Sequence, residues 1–102
     1  LQMDEKRSTA FFRIFQESLT NVIRHAQAKN VAITLRRDGS NVLLTIEDNG
    51  KGIAPNELAN PRSVGILGMK ERAASFNGEV NVIGVQGKGT TVRVRIPLAE
   101  HP

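Results

Sequence analysis

A change of hydrophobic period near residue 30 constrains the fold of this chain most strongly. From Ser8 to about Ala28, apolar residues recur at helical spacing, at Phe12, Phe15, Leu19, Val22, Ile23 and Ala26. Val31, Ile33 and Leu35 then alternate with polar residues, which is the period of a half-buried strand. A long helix that runs into a strand predicts a domain in which a helix packs on a sheet.

Turn-forming residues divide the rest of the chain. The stretch 38–41 predicts a hairpin turn, followed by a strand through Val42, Leu44 and Ile46 to Asp48. Residues 49–64 are typical of a loop, and 65–76 of a helix that ends at Asn77-Gly78. Strands over 79–85 and 90–98 complete the order. We therefore expect residues 1–102 to form one domain, an α/β two-layer sandwich with helices on one face of a mixed, mainly antiparallel sheet.

Composition narrows the class of protein. The 102 residues carry a formal net charge of +4, which suits a polyphosphate ligand or an acidic partner. The basic residues are scattered and not interleaved with aromatic residues, which disfavours nucleic-acid binding. Without cysteine there are no disulfides or thiolate metal sites, which fits the cytosol. No apolar run is long enough to span a bilayer.

Polar residues follow one another along the first predicted helix. Glu17, Asn21 and His25 stand at i, i+4 and i+8, so they form a column that we expect nearly opposite the apolar stripe. Taken alone, such a column is usually a solvated face.

Asp48 shares the inward face of the second strand, and its carboxylate either meets a buried donor or caps the turn that follows.

Three further features favour a ligand site. Thr90 shares the inward face of the last strand, where it serves either a ligand or simply strand propensity. Gly50 and Gly52 let the backbone turn sharply beside a flat ligand. Gly65 and Gly68 open the second helix, which is either an ordinary helix entry or a phosphate site.

Four motifs in order give the chain a family resemblance. They are Glu17–Ala26, Asp48–Gly52, Gly65–Arg72 and Gly87–Thr90, and together they resemble the GHKL (Bergerat-fold) ATPases. Within that superfamily, Asn21–Ala26 and Gly68–Ala73 resemble the nitrate-sensor-like branch of two-component sensor histidine kinases. Residues 53–64 contain no Phe, which is similar to the short nucleotide lid of that branch.

The resemblance implies ATP and Mg²⁺ as ligands and assigns roles to the site residues. Asn21 would ligate Mg²⁺, Glu17 would act as a polarising or general-base group at the γ-phosphate, and Asp48 would accept the adenine amine. The other members of the implied nucleotide-binding set are His25, Gly50, Gly52, Ile53, Gly65, Gly68, Met69 and Thr90. Of these, Gly50 and Gly52 would leave room for the base, Gly65 and Gly68 would frame the phosphates, and Thr90 would reach adenine through water. His25 would hold the phosphates or play a structural part.

The resemblance also implies partners. A sensor kinase transfers the γ-phosphoryl group to a His on a separate pair of dimerisation helices, from which a response-regulator Asp receives it. Neither His25 nor His101 is a credible acceptor, so this chain is expected to bind ATP but not to complete the reaction alone. We expect a cytoplasmic domain without membrane or nucleic-acid contact.

Two other functions fit the same pocket. One is a serine kinase of the anti-sigma-factor type, and the other is a nucleotide-sensing module without catalysis. Arg24–Ala26 and Gly68-Met69 favour the histidine kinase over the serine kinase, and Glu17 with Asn21 argues against a module without catalysis. The family usually has an opening strand before the long helix, and residues 1–7 are short for one. An exposed sheet edge that could pair between chains is therefore expected.

Overall fold

The computed structural model describes residues 3–23, 27–52 and 65–98. These residues form, in chain order, α1 (Glu5–Asn21), β1 (Val31–Asp38), β2 (Asn41–Asp48), α2 (Ile66–Ala74), β3 (Glu79–Val85) and β4 (Gly89–Pro97). The strands make one sheet in the order β1-β2-β4-β3, and each neighbouring pair is antiparallel. Helix α1 contacts β2, α2 contacts β3 and β4, and the helices contact each other. The predicted two-layer α/β sandwich is confirmed, and the described sheet is wholly antiparallel rather than mixed.

The core lies between the helices and the two central strands. Alternate residues of β2 and β4 point into it, and the helices supply the other side. Its most deeply buried large side chains include Ile14, Ile46, Met69 and Ile96, none more than 2% exposed. Each such side chain contributes roughly 1.5–3 kcal/mol through burial. The core thus fixes the ends of β2 and β4, where the predicted site residues lie.

The buried face of α1 differs from the predicted one. The helix buries Arg7, Ala10, Phe11, Ile14 and Ser18. Phe12 and Ile23, both assigned to the apolar stripe, are 58% and 81% exposed. At about 100° per residue, the column of Glu17 and Asn21 therefore lies within roughly a quarter-turn of the buried face. It flanks the core instead of lying opposite it, and both residues are half-buried.

The ends of α1 also differ from the prediction. The helix begins at Glu5, not at Ser8, whose backbone N–H already donates to the Asp4 carbonyl at 3.0 Å. Asp4 makes no side-chain cap because its carboxylate pairs with Arg7 at 3.1 Å. The helix ends at Asn21, and residues 27–30 are not helical, with Gln27 in the left-handed region at φ +52°. Within the described residues, no strand precedes α1.

Strand β1 is exposed along its whole length, which contradicts the half-buried strand that its alternation predicts. Its apolar residues Val31, Ile33 and Leu35 are 38%, 47% and 49% exposed. They share the core-side face with β2, since Ile33 pairs with Ile46 and Leu35 with Leu44. Among the described elements, the main contacts of the helices with the sheet are to β2, β3 and β4, so this row lies at the margin of the helix layer. Strand β1 is an edge of the described sheet.

Arg7 joins three elements at the end of the sandwich opposite the Asp48–Thr90 pair. Its Nε donates to the Pro97 carbonyl at 2.7 Å, and its guanidinium lies 4.9 Å from the centre of the Phe76 ring. Only 11% of the side chain is exposed. The start of α1 is thereby attached to the end of β4 and to the residues just after α2.

Candidate nucleotide site

Glu17 and Gly65 lie against each other where α2 begins. Gly65 precedes the helix in the left-handed region at φ +69°, a conformation that glycine adopts without strain. A Cβ at this position would overlap the Glu17 carboxylate as it lies in this structure, so the absence of a side chain lets the two approach. The predicted phosphate cradle at the start of α2 is thus bordered by Glu17, the acid predicted to act at the γ-phosphate.

The neighbouring pair Ser18 and Met69 holds the two helices in this arrangement. The Ser18 hydroxyl donates to the Met69 sulfur at 3.5 Å, and the two residues are 2% and 1% exposed. Because Met69 lies in the core, its side chain supports the site rather than lining an open cleft. Asn21 lies one turn beyond Glu17 on the same half-buried face.

Asp48 and Thr90 lie opposite each other at the ends of β2 and β4, as a cross-strand pair. Thr90 faces inward, as predicted, and is 7% exposed. Asp48 is half-buried, and its Oδ1 accepts a hydrogen bond from the Gly50 N–H at 2.8 Å. The interpretation of Asp48 as a turn cap is therefore confirmed. A carboxylate has about four lone-pair sites, so this bond leaves Asp48 able to accept a ligand amine.

Glycines allow two backbone segments to meet beside this pair. At Gly89 (φ +130°), a Cβ would overlap the Asp48 carbonyl oxygen. At Gly52 (φ +80°), it would overlap the Val85 carbonyl oxygen. Residues 48–52 therefore pack directly on the β3–β4 hairpin, and both Gly50 and Gly52 are buried.

The structure places most of the predicted site residues in two groups. Glu17 and Gly65 form one group, with Gly68 and Met69 in the first turns of α2. Asp48 and Thr90 form the other, with Gly50 and Gly52 in the following turn. Two predicted members, His25 and Ile53, lie outside the described residues, as does the short lid.

Two residues near the site were not among the predicted ones. Gly89 belongs to a motif of the sequence without a predicted role of its own, although its missing side chain makes room for Asp48. Asn49 is predicted only as a turn residue, yet its side-chain oxygen accepts from the backbone N–H groups of Lys29 and Asn30. Its place between Asp48 and Gly50 in the turn is the only signal in the sequence.

The donor set fits magnesium bound together with phosphate better than magnesium held by protein alone. Among the residues that the structure describes, no three His, Cys, Asp or Glu side chains come together in a way that could hold a metal. Mg²⁺ commonly takes one or two protein oxygens and completes its coordination with phosphate and water. The Asn21 side chain offers such an oxygen on the same face as Glu17.

No helix in the described part of the chain is both long and apolar enough to cross a bilayer.

This geometry agrees with what comparison with known proteins shows. The model of the histidine kinase-, DNA gyrase B- and HSP90-like ATPase family matches residues 6–100. The chain therefore belongs to this ATPase family.

Curated relatives are sensor kinases. The chain is 42% identical over 87 residues to the sensor histidine kinase LiaS of Bacillus subtilis (strain 168), covering 85% of the chain and 24% of LiaS. It is 29% identical over 99 residues to the oxygen sensor histidine kinase NreB of Staphylococcus carnosus (strain TM300), covering 97% of the chain and 28% of NreB. The chain thus spans about a quarter of the length of these relatives.

Solved structures give the same fold. The histidine kinase domain of the blue-light activated histidine kinase of Erythrobacter litoralis EL346 superposes with a TM-score of 0.79 at 25% identity, covering 91% of this chain and 45% of that one. The histidine kinase AdeS of Acinetobacter baumannii gives a TM-score of 0.75 at 19% identity, covering 90% of this chain and 47% of that one, and shows the fold alone.

Proposed function

We propose that this chain is the ATP-binding catalytic domain of a sensor histidine kinase. In this proposal it donates the γ-phosphoryl group of Mg·ATP to a His on separate dimerisation helices, and a response regulator then receives the group. The observation that carries the proposal is the pairing of Glu17 with the glycine entry of α2. An acid beside a helix N-terminus brings a general-base group to a site that favours phosphate.

Each end of the nucleotide would meet its own group of residues. Asp48 accepts the adenine amine, and Thr90 supports the same edge through a water molecule. Gly50 and Gly52 leave space for the base, and Gly65 and Gly68 border the phosphates. His25 and Ile53 remain predicted members of this set.

The catalytic step would be an in-line phosphoryl transfer. A bond forms between an acceptor imidazole nitrogen and the γ-phosphorus, while the bond from that phosphorus to the bridging oxygen of the leaving ADP breaks. Glu17 takes up the proton that the imidazole loses. Asn21 would hold Mg²⁺, which neutralises charge on the phosphate oxygens.

The pocket assignment is tested by calorimetric titration with a non-hydrolysable ATP analogue and Mg²⁺. Asp48→Asn removes an acceptor for the adenine amine, so we expect affinity to fall by about 10-fold or more. Asn21→Ala is expected to weaken binding and abolish its dependence on Mg²⁺. Asp38→Asn is the matched control, because Asp38 also ends a strand before a glycine turn but lies at the other end of the sheet. Unchanged affinity in both site variants would overturn the assignment.

The reaction is tested by mixing the domain with the dimerisation helices of its own parent protein and labelled ATP. A phosphohistidine is acid-labile and base-stable, whereas a phosphoserine is acid-stable. We expect acid-labile label, and Glu17→Gln is expected to slow its formation by roughly 10²–10⁴-fold while retaining nucleotide affinity. Acid-stable label would favour the serine-kinase alternative. Nucleotide binding without any transfer would favour the sensing module.

A further inference from the structure

The turn at residues 48–52 is held from two sides. On the β3–β4 side, the Gly87 N–H donates to the Lys51 carbonyl at 2.8 Å, and Gly52 packs on the Val85 backbone. On the opposite side lie residues 27–30, which lead directly into β1. The contact with this second segment involves Asn49.

Asn49 makes three hydrogen bonds to the segment 27–30. Its side-chain Oδ1 accepts from the backbone N–H groups of Lys29 and Asn30, both at 2.9 Å. Its own N–H donates to the Asn30 carbonyl at 3.2 Å. Two donors on one amide oxygen use both of its lone pairs. The side chain thus attaches the turn to the approach of β1, one step beyond the Val31–Asp48 pair of the sheet.

Burial contributes little to holding this segment. Gln27, Lys29 and Asn30 are exposed, and so is all of β1, into which they lead. The hydrogen bonds of Asn49 therefore contribute a larger share of the free energy that fixes this segment than they would if its side chains were buried. The segment follows α1, the helix that carries Glu17 and Asn21, so holding it beside Asp48 links the two groups of site residues along the chain.

We propose that Asn49 is a positioning residue for the nucleotide, which keeps Lys29 and Asn30, between α1 and β1 in the chain, in fixed register with the Asp48 turn. The inference rests on the proposed function, because it concerns a ligand that spans both groups. The two ends of ATP act as linked ligands, and the second end binds at high effective concentration only when its site lies at the right distance. Loss of this spacing therefore weakens binding of the whole nucleotide more than binding of its adenosine part or its phosphate part alone.

The test compares Asn49→Ala with Asn49→Asp, which retains an acceptor oxygen. Asn81→Ala is the control, since Asn81 is an exposed asparagine in the middle of β3. Each variant is titrated by NMR with Mg²⁺ plus a non-hydrolysable ATP analogue, with Mg²⁺ plus tripolyphosphate, and with adenosine. For Asn49→Ala we expect about a 10-fold loss for the ATP analogue, with changes of less than about 2-fold for adenosine and tripolyphosphate. Asn49→Asp is expected to restore the affinity, and Asn81→Ala to leave it unchanged.

Amide hydrogen exchange measures the hydrogen bonds between Asn49 and the segment 27–30 in the absence of any ligand. The amides of Lys29 and Asn30 should exchange faster in Asn49→Ala and return towards wild-type rates in Asn49→Asp. Unchanged exchange at these amides would overturn the inference, as would equal losses for all three ligands, which would indicate local damage at the adenine turn.

The two proposals fail in different ways. If wild type binds the ATP analogue and Asn49→Ala binds it equally well, only the positioning role is overturned. If wild type does not bind the ATP analogue at all, the proposed function fails and the positioning role with it.

Discussion

Strands β1 and β2 have nearly the same local sequence design but different environments. Both are eight residues long, both place three apolar side chains at alternate positions on the core-side face, and both end in an Asp before a glycine-containing turn. They pair residue for residue. Yet β2 buries Val42, Leu44 and Ile46, whereas β1 buries none of its side chains. The comparison shows that alternation predicts which side chains share a face, while the reach of the helix layer decides whether that face is covered.

The turns after the two strands differ in the same way. After β1, Gly39 has φ +61°, and a Cβ there would have nothing within 4 Å. After β2, the turn packs against the β3–β4 hairpin, where Gly89 has room for only a hydrogen beside the Asp48 carbonyl. The first is an open hairpin, and the second is a junction of several segments that can form a site.

The largest expected effect contrasts two isoleucines that face each other in the register. Ile46 is 2% exposed and Ile33 is 47% exposed. We expect Ile46→Ala to lower the free energy of unfolding by about 3–4 kcal/mol, because it leaves a core cavity. Ile33→Ala should lower it by about 1 kcal/mol or less. Urea unfolding measures both, and equal costs would mean that β1 is covered in solution.

A second contrast concerns the two turns. Gly89→Ala is expected to lower the free energy of unfolding by about 2–3 kcal/mol, since the new Cβ must displace the Asp48 backbone. Gly39→Ala meets open space, so only the left-handed backbone opposes it, at about 1 kcal/mol. The same unfolding experiment measures both variants. If Gly89→Ala costs no more than Gly39→Ala, the packing of the two segments is looser than described.

The smallest effect concerns the two aspartates. In the nucleotide-free protein, Asp48→Ala removes the hydrogen bond to the Gly50 N–H, which should cost about 1 kcal/mol of unfolding free energy. Asp38→Ala removes an exposed side chain and should change that free energy by less than about 0.5 kcal/mol. Thermal unfolding of the matched pair is the measurement. A stabilising Asp48→Ala would contradict the prediction and show that the carboxylate is strained without ligand.

Much of the fold could be predicted from hydrophobic period and turn residues. The order of elements and the inward orientation of Thr90 depend on local spacing, which the sequence contains. The face of α1 was predicted wrongly because two apolar stripes overlap on it, and only packing selects the one with Phe11 and Ile14. The burial of Arg7 could not be predicted for a related reason, since its partners Pro97 and Phe76 are distant in the sequence.

The site was less accessible to local reasoning than the fold. Periodicity alone favoured a solvated Glu17, and its approach to Gly65 depends on the packing of α1 against α2. The ordered motifs supplied that link through resemblance. Asn49 was missed because its partners, Lys29 and Asn30, belong to a segment whose position follows from tertiary structure.

The strand order has a consequence for how the protein is made. Strand β4 is the last element of the described chain, but it lies inside the sheet, between β2 and β3. During synthesis the ribosome therefore releases β1 and β2 well before β4 exists, and the edge of β2 that pairs with β4 stays unpaired until then. Thr90 comes opposite Asp48 only when β4 inserts. A nascent chain that stops before β4 lacks both the completed sheet and the proposed adenine pair, so competence for nucleotide should appear late and in one step.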